Sequence, residues 1–167
     1  MKIHIGTGAG TGPTTLAAFD AALIGMGIAN YNLIYLSSVV PPQAEVITHD
    51  GHIDANLPGG WGDRLYVVMA EIRADTPNEE AWAGVGWVQD PETGKGLFVE
   101  HEGRSEQTVR SDITQTLQGL MKNRNVDFGE IHMVVRGITC VDQPVCAMVT
   151  AVYQSSDWHN NASVIGE

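Results

Sequence analysis

Residues 2–6 alternate polar and apolar side chains, the period of a half-buried strand. Four glycines and a proline crowd residues 6–13, a composition that suits no regular element and predicts a loop. Thr14 is placed to cap a helix reaching about Ile24. Leu16, Phe19, Leu23 and Ile24 gather mainly on one side of it, and Gly25 or Gly27 ends it. Residues 31–36 read as a strand, and Pro41 and Pro42 then force the chain out of its sheet. Further strands are predicted over residues 65–72, 81–88, 97–101, 131–138 and 146–153, with a turn over 90–96. Ser105 caps a second helix to about Met121, with Val109, Ile113, Leu117, Leu120 and Met121 as its apolar stripe. About seven strands and two helices, with strands in adjacent runs, predict an α+β fold with a largely antiparallel or mixed sheet.

Composition narrows the functional classes. A chain of 167 residues suits one domain, 1–167, and a formal net charge of −11 repels nucleic acid and anionic membranes while tolerating a cationic small substrate. No apolar run approaches the ~20 residues of a membrane span, and no charged-then-apolar leader opens the sequence. Cys140 and Cys146 fit no zinc pattern and read as buried thiols of a reducing cytoplasm. The six histidines make no ligand spacing beyond His49 and His52, three apart in a polar loop, and no metal is expected. Trp61, Trp82, Trp87 and Trp158 read as core or interface anchors.

Two segments invite chemistry. The glycines of residues 6–12 follow a strand and precede a helix, as in phosphate-binding loops. However, Thr11 stands where GxGxxG needs its third glycine, and no lysine suits a Walker motif. The second segment is Ser37-Ser38 at a strand exit. Taken alone the pair signals nothing, since serine is common at strand ends, although a serine hydroxyl beside a strained peptide can attack the preceding carbonyl in an effectively unimolecular step.

The neighbours of that pair carry a resemblance. Phe19-Asp20, then Gly27-Ile28-Ala29-Asn30-Tyr31-Asn32-Leu33-Ile34, then Leu36-Ser37-Ser38-Val39-Val40-Pro41-Pro42 resemble the pyruvoyl-dependent arginine decarboxylases. The segment Gly96-Leu97-Phe98-Val99-Glu100-His101-Glu102-Gly103 resembles the family's acidic catalytic block. The resemblance covers most of the chain. It implies a four-layer αββα sandwich and self-cleavage between Ser37 and Ser38, giving a β chain 1–37 and an α chain 38–167. Attack by Ser38 Oγ makes an ester, β-elimination breaks the chain, and residue 38 becomes a pyruvoyl group with release of ammonia. That group, with neither metal nor pyridoxal phosphate, converts L-arginine to agmatine and CO2 through a Schiff base.

The resemblance also assigns roles. Glu100 corresponds to the acid that protonates the carbanion; Glu102 shares its strand face, and spacing alone does not choose between them. Asn32, six residues before Ser38, corresponds to a residue required for processing and would stabilise an oxyanion, although by itself it reads as bonding nearby backbone. Asp20 corresponds to the guanidinium-binding position, and by itself reads equally as a solvated helix residue. The family further implies trimers with the active site between subunits, and a role in polyamine synthesis or acid resistance. The rivals are the same chemistry on histidine or another basic amino acid, a hydrolase keeping Ser38 as a free nucleophile, and an uncleaved protein binding a ligand on the loop of residues 6–12. Residues 43–61 are the least easily placed on the family pattern.

Overall fold

The computed structural model describes residues 1–53 and 56–158. Its elements are β1 (Lys2–Thr11), α1 (Thr15–Met26), β2 (Asn32–Tyr35), β3 (Val39–Val40), β4 (Glu45–Thr48), β5 (Arg64–Ala74), β6 (Glu80–Gln89), β7 (Gly96–Gly103), α2 (Glu106–Arg124), β8 (His132–Thr139) and β9 (Val145–Ser156). One sheet runs β2-β5-β9-β1-β4 and the other β3-β7-β6-β8. The pairs β1–β4 and β2–β5 are parallel, and the remaining pairs are antiparallel. The fold is therefore α+β, as the run of strands predicts.

Strand alternation sets the layers. On β9, Ala147, Val149 and Ala151 join Ile3, Ile5, Val85 and Phe98 between the two sheets. Cys146, Met148 and Val152 point the other way, under Ala18, Ala22 and Met26 of α1. Across the four-stranded sheet, Val109, Ile113 and Leu117 of α2 pack on Val88, Leu97 and Val99. The order is α1, five strands, four strands, α2, the αββα arrangement that the resemblance implies. Burying each large side chain such as Phe98 or Ile5 stabilises it by roughly 1.5–3 kcal/mol. Both predicted caps form: Thr14 Oγ1 accepts from Ala17 N at 3.1 Å, and Ser105 Oγ accepts from Thr108 N at 3.2 Å.

The glycine-rich segment corrects an expectation. It is no loop: β1 continues to Thr11, paired with β9 through Thr11↔Val145. The glycines let α1 lie directly on the strand. A Cβ at Gly8 would run into the Ala22 carbonyl, and one at Gly10 would sit 2.5 Å from Ala22 N. The helix answers with small residues, burying Ala18 and Ala22 with Leu23 and Met26, while Leu16 and Ile24 of the predicted stripe stay exposed. The loop-binding rival thereby loses its loop. The structure adds two strands not expected from the pattern: β3 has two residues, and β4 lies inside the polar 43–61 stretch.

Candidate active site

The chain changes sheets at the serine pair. Leu36 N donates to Val67 O of β5 at 2.9 Å, which ties it to the five-stranded sheet. Two residues later Ser38 O accepts from Phe98 N of β7 at 2.8 Å, which ties it to the four-stranded sheet. Ser37 spans the crossing alone. Ser38 meets this demand with φ of 63°, a left-handed conformation that costs a non-glycine residue roughly 1–2 kcal/mol. The following β3 residues pair as Val39↔Leu97 and Val40↔Gly96 before Pro41 ends the strand.

In that conformation Ser38 Oγ donates to Glu100 Oε1 at 2.6 Å, a short charge-assisted bond in a half-buried setting. Glu100 shares its face of β7 with Phe98, which is buried between the sheets, whereas Glu102 is exposed. Nearby stands a group that the sequence reading assigned no role: Tyr153, near the end of β9. Its hydroxyl donates to Val39 O at 3.0 Å and its ring meets Phe98 edge-on at 6.1 Å. Burial first, and then the Glu100 carboxylate, push the Tyr153 phenol far above its usual range, so it stays a donor. An aromatic residue closing a strand gives no sequence signal for this role.

The other named residues lie elsewhere. Regular alternation would have set Asn32 on the face of Ser38, but β2 stops at Tyr35 and Ser38 is left-handed, so the alternation is lost. Asn32 Nδ2 instead donates to Gly62 O at 2.6 Å, and the residue is exposed. Asp20 is exposed on α1, next to Phe19, whose ring carries the Arg73 guanidinium 4.4 Å from its centroid. His49 and His52 part company: His49 Nε2 is 2.9 Å from His4 Nδ1, and His52 Nδ1 contacts Gly25 O at 3.1 Å. His101 turns to the opposite face of β7 and bonds Thr116 Oγ1 of α2 at 2.7 Å. Both cysteines are buried and free; burial and then Glu71 push the Cys146 thiol up to about 12. Surface clefts beside the end of α2, beside Val141–Val145 and beside Trp87 include neither Ser38 nor Glu100 in their walls. No described helix is long and apolar enough to cross a membrane.

What this arrangement offers is a hydroxyl held against a carboxylate, on a left-handed residue at the junction of two sheets. Residues 2–157 match the family model described as pyruvoyl-dependent arginine decarboxylase. The chain is 35% identical over 162 residues to a pyruvoyl-dependent arginine decarboxylase of Halobacterium salinarum, covering 93% of this chain and 96% of the relative. It is 30% identical over 154 residues to the protein of that name in Thermococcus kodakarensis, covering 90% and 93%. A solved structure of pyruvoyl-dependent histidine decarboxylase at pH 8 overlaps 83% of this chain and 61% of its own, with 12% identity and a TM-score of 0.43.

Proposed function

The chain belongs to the pyruvoyl-dependent arginine decarboxylase family, and on that premise we propose that it cleaves itself between Ser37 and Ser38 and then decarboxylates L-arginine to agmatine and CO2. The observation that carries this reading is the 2.6 Å contact of Ser38 Oγ with Glu100 on a residue whose φ is 63°. Glu100 accepts the hydroxyl proton as Ser38 Oγ attacks the Ser37 carbonyl carbon, and the amide C–N bond gives way to an ester C–O bond. Loss of the residue 38 Cα proton expels the Ser37 carboxylate. Water then replaces the nitrogen, releasing ammonia and leaving a keto end on the α chain.

The residues fit a pyruvoyl group at position 38. Phe98 N already holds the carbonyl of that residue, and Glu100 faces its side chain. The pyruvoyl supplies the electron sink for the pair left behind when CO2 departs. Glu100, freed from the serine hydroxyl, returns a proton to the substrate carbon. Nothing in the reading asks the halves to separate after cleavage. Residues 1–37 keep β1 between β9 and β4, and β2 on β5.

Asn32 and Asp20 have a place in the same reading. Both are exposed in the single chain, and neither hydrogen-bonds Ser38 or Glu100. They serve a neighbouring copy in a trimer, Asn32 as oxyanion donor and Asp20 as the carboxylate for the guanidinium. The product then feeds polyamine synthesis, or the proton taken up in the decarboxylation serves acid resistance.

The test is amine formation and CO2 release by purified protein from arginine, lysine, ornithine and histidine, with borohydride trapping on the productive substrate. Arginine should be preferred and should tag the α chain at residue 38. Release of CO2 from histidine alone would move the substrate assignment, and no release from any of the four would remove the activity.

A further inference from the structure

We infer that Tyr153 is a positioning residue for the 37–38 bond, acting through the Val39 carbonyl. The inference rests on the self-cleavage reading above and adds the group that holds the reacting peptide in place.

Consider what fixes residues 38 and 39. Strand β3 is two residues long, so its ladder is short. Val40 is buried at 1% exposure and anchors itself, but Val39 is 56% exposed and contributes little packing of its own. Its carbonyl accepts from the Tyr153 hydroxyl at 3.0 Å. That contact joins the sheets: Val39 belongs to the four-stranded sheet and Tyr153 to the five-stranded one. The Tyr153 ring is fixed against Phe98, whose own N–H holds Ser38 O. Phe98 N and Tyr153 Oη thus grip the two successive carbonyls that follow the scissile bond.

The consequence concerns Ser38. A left-handed serine relaxes toward ordinary φ once its neighbours let go. Relaxation swings the hydroxyl away from Glu100 and from the Ser37 carbonyl. An effective concentration gained by holding atoms in contact falls steeply with a displacement of about 1 Å. Tyr153 prevents that swing before cleavage, and after cleavage it holds residue 38 facing Glu100. The hydroxyl remains a donor throughout because burial and the Glu100 charge suppress its ionisation.

Tyr153→Phe removes one oxygen and keeps the ring. Freshly made precursor, wild type and variant, is followed by fragment appearance on a denaturing gel, with hydroxylamine added to a parallel sample to cut any ester. Melting temperatures of both are taken. The inference expects cleavage slowed at least tenfold, less hydroxylamine-cut ester at early times, and a melting temperature close to wild type. For whatever variant matures, kcat should fall with KM for arginine little changed. Cleavage at the wild-type rate overturns the inference and leaves the self-cleavage reading intact. Slowed cleavage in step with a large fall in melting temperature overturns it too, because the hydroxyl then serves only the fold. A wild-type chain that never cleaves overturns the reading beneath it. Should the phenylalanine variant not fold, Tyr153→His keeps a ring and a donor of different reach; wild-type cleavage and kcat in that variant would refute positioning, and a tenfold loss would support it.

Discussion

Residues 6–12 and residues 37–38 make opposite use of the backbone. The first segment holds four glycines, yet none of them takes a positive φ, and up to Thr11 it continues the strand that begins at Lys2. The second holds no glycine, and there the chain takes a left-handed turn at a serine. At Gly8, Gly10 and Gly12 glycine is used for what it lacks, a Cβ that would hit the backbone of α1. Serine is kept in the second case in spite of its Cβ, because only a side chain with a hydroxyl can carry the proposed reaction. Strain is tolerated where chemistry needs it, and the most permissive residue is spent on packing.

Four experiments press on this contrast. The largest effect is expected at Glu100. Glu100→Gln keeps the shape and removes the acceptor of the Ser38 proton, so precursor cleavage timed on a gel should slow by roughly a hundredfold or more. An unchanged rate would make the 2.6 Å contact incidental. Next is Gly10→Val, which drives a side chain into the Ala22 backbone. Overpacking against main chain should cost about 3 kcal/mol. The precursor would then melt roughly 6–12 °C lower. A melting temperature within about 2 °C of wild type would mean that α1 does not press on β1.

A smaller difference isolates the strain itself. Ser38→Ala and Ser38→Gly both remove the hydroxyl and should both stay uncleaved. In denaturant unfolding the glycine variant should be the more stable by about 1 kcal/mol, since only it adopts positive φ freely. The reverse order would show that residue 38 is not held left-handed.

The smallest effect lies at the other end of β1. His4 touches His49; burial first, then His49 and Lys2, lower its pKa, and Glu45 opposes them. A folded-state value below 6.5 means that the unfolded chain binds more protons there. This contribution is present above about pH 6.5 and is lost as the pH falls. His4→Gln should flatten the drop in melting temperature between about pH 7.5 and 5.5; an unaltered pH dependence would remove His4 as its source.

Local signals read well from the sequence. Thr14 and Ser105 announce their caps because capping needs only the next three residues. Long, continuously apolar strands such as β5 and β9 announce themselves as well. The two- and four-residue strands β3 and β4 do not, since such short pieces exist only through their partners β7 and β1. The same limit applies at the site. Glu100 and Glu102 share a face of β7. The β3–β7 register sets Ser38 beside Phe98 and brings its hydroxyl to the nearer carboxylate. The grip of Tyr153 on Val39 spans 114 residues of sequence and ends on a carbonyl that every residue possesses, so no residue pattern can encode it visibly. The glycines suggest a loop by composition, whereas their spacing of two marks one face of a strand.

The central claim is that residue 38 turns its hydroxyl on its own backbone. The intact mass of the fragment beginning at residue 38 tests it most directly. A fragment lighter than the serine-ended chain by one ammonia, and refractory to sequencing from its blocked end, is the predicted result. A fragment bearing an ordinary serine amine, or a chain that stays whole, would contradict it.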